Sequence, residues 1–140
     1  MSVREGLQVV WFKRDLRLED HAPLAAAANG KPTVMLYVFE PELIQDPHYS
    51  ARHWRFVTQS LIEMNYRLKP LNQRIQLLQG SILDVLDSIQ AHTPIAALLS
   101  YEETGLRFTY ERDKAVTRWC RQHRVRWQEY QSNGVKRARR

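Results

Sequence analysis

Thr33-Val34-Met35-Leu36-Tyr37-Val38-Phe39 is apolar at every position after the first. Seven aliphatic, β-branched and aromatic residues in a row have the length of a strand. The run lacks the alternation of a half-solvated one. Both faces of such a strand must be buried, as in a parallel sheet covered by helices on either side. Upstream, Leu7-Gln8-Val9-Val10-Trp11-Phe12 has the same character. Between the two runs, Asp20 as N-cap, Pro23 in the first turn, an alanine-rich body and Gly30 as the stop predict a helix. Downstream, Pro41 and Pro47 mark a loop, and Ser50 opens a long helix. Trp54, Val57, Leu61, Met64 and Leu68 recur at three- and four-residue steps along it, and Pro70 ends it.

The same pattern continues to the end of the chain. Arg74–Leu78 reads as a third strand, less apolar and so an edge. Ser81-Ile82-Leu83-Asp84 resembles a capping box, and it opens a helix carrying Leu83, Leu86 and Ile89. Ile95–Leu99, after Pro94, is a fully apolar fourth strand. Thr109 is the expected cap of a helix with Val116, Trp119, Cys120 and His123 on its inner side, and Val125–Tyr130 alternates as an edge-like fifth strand. Regular β-α alternation predicts a three-layer α/β sandwich with helices on both faces of a five-stranded parallel sheet. The expected strand order is 3-2-1-4-5, with its switch point between strands 1 and 4. Ligands on such sheets sit beyond the carboxyl ends of the strands at that point.

Composition narrows the classes. The 140 residues are 44% hydrophobic and 26% charged, one domain's worth with a core of its own. No apolar run approaches the roughly 18 residues of a membrane span, and the start lacks the pattern of a secretory signal. One cysteine, Cys120, excludes an internal disulfide and a cysteine-rich zinc site, and a reducing cytoplasm is the default expectation. The net charge is +6, of which the tail Lys136, Arg137, Arg139 and Arg140 supplies four, leaving +2 elsewhere. The basicity therefore reads as a terminal feature and not as a nucleic-acid-binding face on the folded body.

The usual phosphate and hydrolase motifs are absent: no GxGxxG after the first strand, no GxxxxGK[ST], no GxSxG and no HExxH. The five histidines show no metal-ligand spacing, so no metal site is expected. What remains is polar material at the carboxyl ends of strands. Lys13-Arg14-Asp15 opens a run of mixed charge through His21. Leu16 and Leu18 alternate with its charges, so their burial would turn Asp15 or Arg17 toward a partner or ligand. Phe39 and Glu40 follow the second strand, and Tyr101, Glu102, Glu103, Thr104 and Gly105 follow the fourth. These segments should converge on one rim. Guanidinium donors, carboxylate acceptors and aromatic faces there suit a planar, polar aromatic ligand. Neighbouring Glu102 and Glu103 point apart in extended chain, which disfavours acid/base catalysis by the pair. The four tryptophans fall within predicted strands and helices, where core packing accounts for them.

Several stretches resemble the DNA photolyase/cryptochrome family. Trp11–Leu24 (WFKRDLRLEDHAPL) is similar to its opening strand, charged run and first helix start. Tyr49–Leu61 (YSARHWRFVTQSL) and EETG at 102–105 followed by YERDKAVTRWC at 110–120 are similar to later helix starts. NGVKRARR at 133–140 resembles the end of the family's N-terminal domain. The resemblance implies a Rossmann-like domain over residues 1–132, with 133–140 beginning an interdomain linker. It also implies an antenna chromophore in the rim cleft (a folate, a deazaflavin or a flavin such as FMN) that passes excitation to a reduced FAD held by a separate helical domain. That FAD splits a pyrimidine dimer in DNA or signals light. By the same resemblance Lys13, Arg14, Asp15, Phe39, Glu40, Arg52, Glu102 and Glu103 line the antenna cleft, while Arg112 and Asp113 orient their helix against it.

The folate-type asparagine-glutamate pair does not appear cleanly near Thr104 to Tyr110, which favours deazaflavin or flavin. The helical FAD domain is not among these residues, so the four tryptophans are not assigned to the family's electron relay. The chain is expected to be a non-catalytic piece of a longer deoxyribodipyrimidine photo-lyase. That parent would contact DNA, this domain weakly or not at all, and its C-terminal helical domain would be this domain's partner. Two other readings stand beside this one. A nucleotide-binding module of universal-stress type would need a glycine-rich loop near the last strand, where only Gly134 is found. An interaction domain would dock a helical partner through the rim.

Overall fold

The computed structural model describes residues 6–131. Five parallel strands form one sheet: β1 (Leu7–Phe12), β2 (Thr33–Phe39), β3 (Ile75–Gln79), β4 (Ile95–Tyr101) and β5 (Arg126–Tyr130), in the expected order β3-β2-β1-β4-β5. The α-helices are α1 (Ala22–Ala27), α2 (Pro41–Ile44), α3 (Ala51–Leu68), α4 (Ile82–His92) and α5 (Arg107–His123). β1 is the topological switch. The chain leaves it first toward β2 and β3, then crosses to β4 and β5 on its other side.

Each sheet face has its own core. On one face Val10, Phe12, Met35 and Tyr37 meet the buried stripe of α3, formed by Val57, Leu61, Met64 and Leu68. On the other, Val9, Trp11, Leu36 and Leu98 pack with Leu86 of α4 and with Val116 and Trp119 of α5. Trp11 and Trp119 are core residues as expected, whereas Trp54 and Trp127 are half-buried at its margins. Alternate β1 residues thus serve opposite cores, the physical meaning of an unalternating apolar strand.

Several element ends differ from the sequence reading. The cap of α1 is His21, not Asp20. The His21 ring accepts from Leu24 N at 3.1 Å, while Asp20 takes a left-handed φ of 53°. α1 ends at Ala27, short of Gly30. Thr109 does not cap α5: the cap position is Leu106, and the Thr109 hydroxyl donates back to the Leu106 carbonyl at 2.8 Å from inside the first turn. The segment after Pro41 forms the short α2, and β4 runs two residues further, to Tyr101. Ser50 and Ser81 cap α3 and α4 as read, each accepting a first-turn amide. The expected domain boundary at 132 and the basic tail lie outside the described residues.

Candidate functional site

The carboxyl ends of β1, β2 and β4 converge on one rim. A buried ion cluster holds it together. Arg112, in the second turn of α5, reaches Glu40 Oε1 at the end of β2 and Glu103 Oε1 beyond β4, both at 2.9 Å. Its neighbour Asp113 lies at 2.9 Å. The second oxygen of Glu103 is 3.4 Å from Arg14 Nε, and Arg14 Nη2 donates to the Thr104 carbonyl at 2.7 Å. One guanidinium thus ties together two strand ends and α5, and Glu103 passes the tie to Arg14. The Arg14 side chain is 55% exposed at the rim surface. Single-residue alternation separates the two adjacent glutamates: Glu103 is buried in the cluster and Glu102 faces solvent.

The structure divides the predicted site residues. Arg14, Glu40 and Glu103 belong to the ion cluster, whereas Phe39 packs with Tyr37 and Trp54 on the α3 face of the sheet. Lys13 turns inward instead: its ammonium sits 4.2 Å from the Trp11 ring centroid and 5.7 Å from that of Trp127, without a hydrogen-bond partner among the described residues. Burial, with Arg112 close by, lowers its pKa. Asp15 is also internal. It accepts from Lys13 N at 2.9 Å and meets His21 Nε2 at 2.5 Å. Since His21 Nδ1 accepts from Leu24 N, the ring proton belongs on Nε2, donated to Asp15. Arg17 is turned to the Asp20 carbonyl and the Tyr101 hydroxyl, so it is Arg14 that presents a cation at the rim. Arg52 is exposed on the first turn of α3, with no side-chain hydrogen bond or ion pair to another described residue.

The rim also carries an aromatic wall that the sequence reading did not assemble. Phe39 faces Trp54 at 6.4 Å between centroids, Tyr49 stacks on His53 at 4.5 Å, and Trp54 meets both edge-on. Burial first, and then the Arg14 charge, lower the His53 pKa. An open cleft of about 630 Å³ touches this wall at Tyr49 and Trp54 and is otherwise lined by Ile44, Ala51, Arg55, Thr58 and Gln59, so Arg14, Arg52, Phe39 and His53 lie outside its lining. The indole N–H of Trp54 is buried with no acceptor among the described residues. Trp54 was legible only as a member of a helical stripe; its place at the end of that stripe, against the unanticipated α2, makes it a wall residue. A wider groove of about 1260 Å³ opens at the amino ends of β2 and β3 between α1 and α3. It has no aromatic lining and lies away from the rim.

Glu40 is the titratable centre of the cluster. Burial pushes its pKa up to about 7 against the opposing pull of Arg112. A carboxyl with a pKa raised on folding contributes stability that is fully present below its unfolded pKa of about 4.5. That contribution is lost as pH rises through about 7. Urea unfolding of the wild type should therefore show a fall in stability across pH 5–7.5 that Glu40→Gln flattens, because the amide still accepts from Arg112 and does not ionise. Equal slopes for both proteins would show that Glu40 does not titrate there.

The DNA photolyase family model matches residues 8–138. The chain belongs to the DNA photolyase family. This member is 30% identical to cryptochrome-2 of Gallus gallus over 115 residues, covering 81% of the chain and 20% of the relative. It is 32% identical to cryptochrome-1 of the same species over 109 residues, or 77% and 17%. Its fold is similar to that of an archaeal photolyase from Sulfolobus tokodaii, with a TM-score of 0.78 and 24% identity over 89% of this chain and 29% of that one. That protein was solved with two FAD molecules, implicating a novel light-harvesting cofactor. A class III photolyase from Agrobacterium tumefaciens has the same TM-score, with 23% identity over 94% and 27%. This photolyase-family chain thus has the N-terminal α/β fold of the family and spans about a fifth of the length of the cryptochromes it matches. Among its described residues, no helix is long and apolar enough to cross a membrane.

Proposed function

We propose that this chain is the antenna-chromophore-binding domain of a photolyase- or cryptochrome-type flavoprotein. One observation carries the reading: a wall of Phe39, Trp54, Tyr49 and His53, with the buried Trp54 N–H unanswered among the described residues. Planar heteroaromatic ligands need aromatic faces for stacking and a few fixed polar groups for orientation. The donors fit such a group. Trp54 supplies an N–H, Arg14 supplies a guanidinium held by Glu103 and Thr104, and Arg52 and Arg55 stand exposed on the first turns of α3. They suit a carbonyl- or phosphate-bearing flavin or deazaflavin.

Bound there, the chromophore would absorb near-UV or blue light and pass the excitation on. Phe39, Trp54 and Tyr49 hold its ring, Arg14 orients its polar edge, and the buried Arg112 cluster keeps Arg14 in place. The proposed acceptor is an FAD held by a helical domain of the same longer protein, which would act on DNA or signal light in a cytoplasmic setting. The light-harvesting role described for the Sulfolobus tokodaii photolyase structure supports the same reading by likeness of fold.

The test is a titration of the purified chain with FMN, a deazaflavin and a reduced folate, followed by ligand absorbance and tryptophan fluorescence. Saturable binding of a flavin or deazaflavin is expected. Arg14→Ala and Trp54→Phe, which removes the indole N–H and keeps an aromatic ring in place, should each weaken it by at least tenfold while leaving the unfolding midpoint within a few degrees. Absence of binding to all three compounds would overturn the reading.

A further inference from the structure

We propose that the solvent face of α5 is a second binding surface, one that takes the phosphate backbone of duplex nucleic acid independently of the rim. Charge in this molecule is strongly polarised. From Arg107 to Arg126 there are seven cations and two carboxylates. The rest of the described residues carry nine cations and twelve carboxylates. The modest +2 outside the tail therefore hides a basic segment set against an acidic remainder.

Helical geometry sorts the segment further. At about 100° per residue, Arg107, Lys114, Arg118 and Arg121 fall within roughly 60° of one another, and the stripe runs for about 21 Å along the helix. All four are exposed, and Arg124 at the C-cap, also exposed, extends the line. The opposite face of α5, with Val116, Trp119 and Cys120, is in the core. Along the stripe the only ion pair among the described residues is Lys114–Glu111, at 3.6 Å; the arginines have none.

Helix stability does not explain this placement. Cations near the C-terminus complement the helix dipole, but Arg107 stands at the N-terminal turn, where a cation opposes it. That turn has no acidic residue and no side-chain cap to compensate. Charge repulsion among stacked arginines is tolerated where an anionic partner relieves it.

The chemistry favours phosphodiester over an acidic protein surface. Arginines predominate, and their forked donors match phosphate oxygens two at a time. Tyr110, whose ring lies 4.9 Å from Lys114 Nζ, is the one large apolar residue exposed on this face. The surface therefore offers charge without the apolar core that protein interfaces bury. Phosphate contact of this kind is independent of sequence and strongly salt-dependent.

The probe is a fluorescein-labelled, undamaged 20-base-pair DNA duplex, followed by anisotropy from 50 to 200 mM NaCl. The proteins are the wild type, Arg107→Gln/Arg118→Gln/Arg121→Gln, and a tail variant with Lys136, Arg137, Arg139 and Arg140 changed to Gln. The stripe variant should bind at least tenfold more weakly at 50 mM salt. Its log–log salt slope should fall by roughly 2 to 3, at about 0.9 for each phosphate that is no longer neutralised. Circular dichroism and chromophore uptake should match the wild type, which separates this surface from the rim. Unchanged affinity and slope in the stripe variant would overturn the proposal, as would loss of binding in the tail variant alone, absence of any DNA binding, or equally tight capture of polyglutamate.

Discussion

Arg112→Met is expected to lower the unfolding free energy by about 3–5 kcal/mol, the usual cost of removing one partner from a buried ionic cluster. Arg112 is 6% exposed, and Glu40 and Glu103 are comparably buried around it. Burial works against the charge of its guanidinium, but Glu40, Glu103 and Asp113 outweigh that effect and raise its pKa. Methionine fills similar space, leaves Glu40 and Asp113 without that cation and leaves Glu103 with Arg14 alone. Two strand ends then lose the group that joins them to α5, and Arg14 loses the far anchor of Glu103. Urea denaturation at pH 7.5 measures the loss. Adding Glu40→Gln and Glu103→Gln to the methionine variant should recover more than half of it, because the uncompensated charges are gone. A loss below about 1 kcal/mol for the single variant would show that the cluster does not hold the rim.

Asp15→Ala carries the second large effect, about 2–6 kcal/mol. It leaves two buried donors, Lys13 N–H and His21 Nε2–H, without an acceptor, at about 1–3 kcal/mol each. The damage should spread to α1. Its cap is the His21 ring, and Asp15 is what holds that ring, between Phe12 at 4.7 Å and Tyr101 at 5.0 Å. Amide exchange over Ala22–Ala27 should accelerate in step with the drop in thermal midpoint. If stability were instead unchanged while chromophore binding vanished, Asp15 would be a ligand contact and not an internal brace.

These two residues show where sequence patterns stop being informative. The strands were legible because parallel strands buried on both faces leave continuous apolar runs, and Pro70, Ser50 and Ser81 mark helix ends through local backbone chemistry. Asp20 and Thr109 misled as caps for one reason. A serine, threonine or aspartate followed by a helical pattern satisfies the local rule. Yet Asp15, six residues before His21, supplied a better-anchored alternative in one case, and the Leu106 carbonyl took the hydroxyl in the other. Lys13, Arg14 and Asp15 are equally charged in sequence, and only packing sends the first and third inward and the second outward. Trp54 reads as core from its spacing, because a stripe does not say where the sheet beneath it ends.

Periodicity and punctuation determined the α/β class, and the right-handed crossovers of regular β-α alternation led to the expected strand order and the meeting of three strand ends on one rim. Periodicity depends on backbone geometry and on which residues can be removed from water, and both are local properties of the chain. Tertiary structure alone decided which charges of that rim face a ligand and which hold the strand ends together. It also turned a bland net charge into a one-sided stripe on α5. Pairing energies depend on distance and burial between residues up to 90 positions apart, as in the bond from Arg14 to Thr104, and no local pattern carries that information.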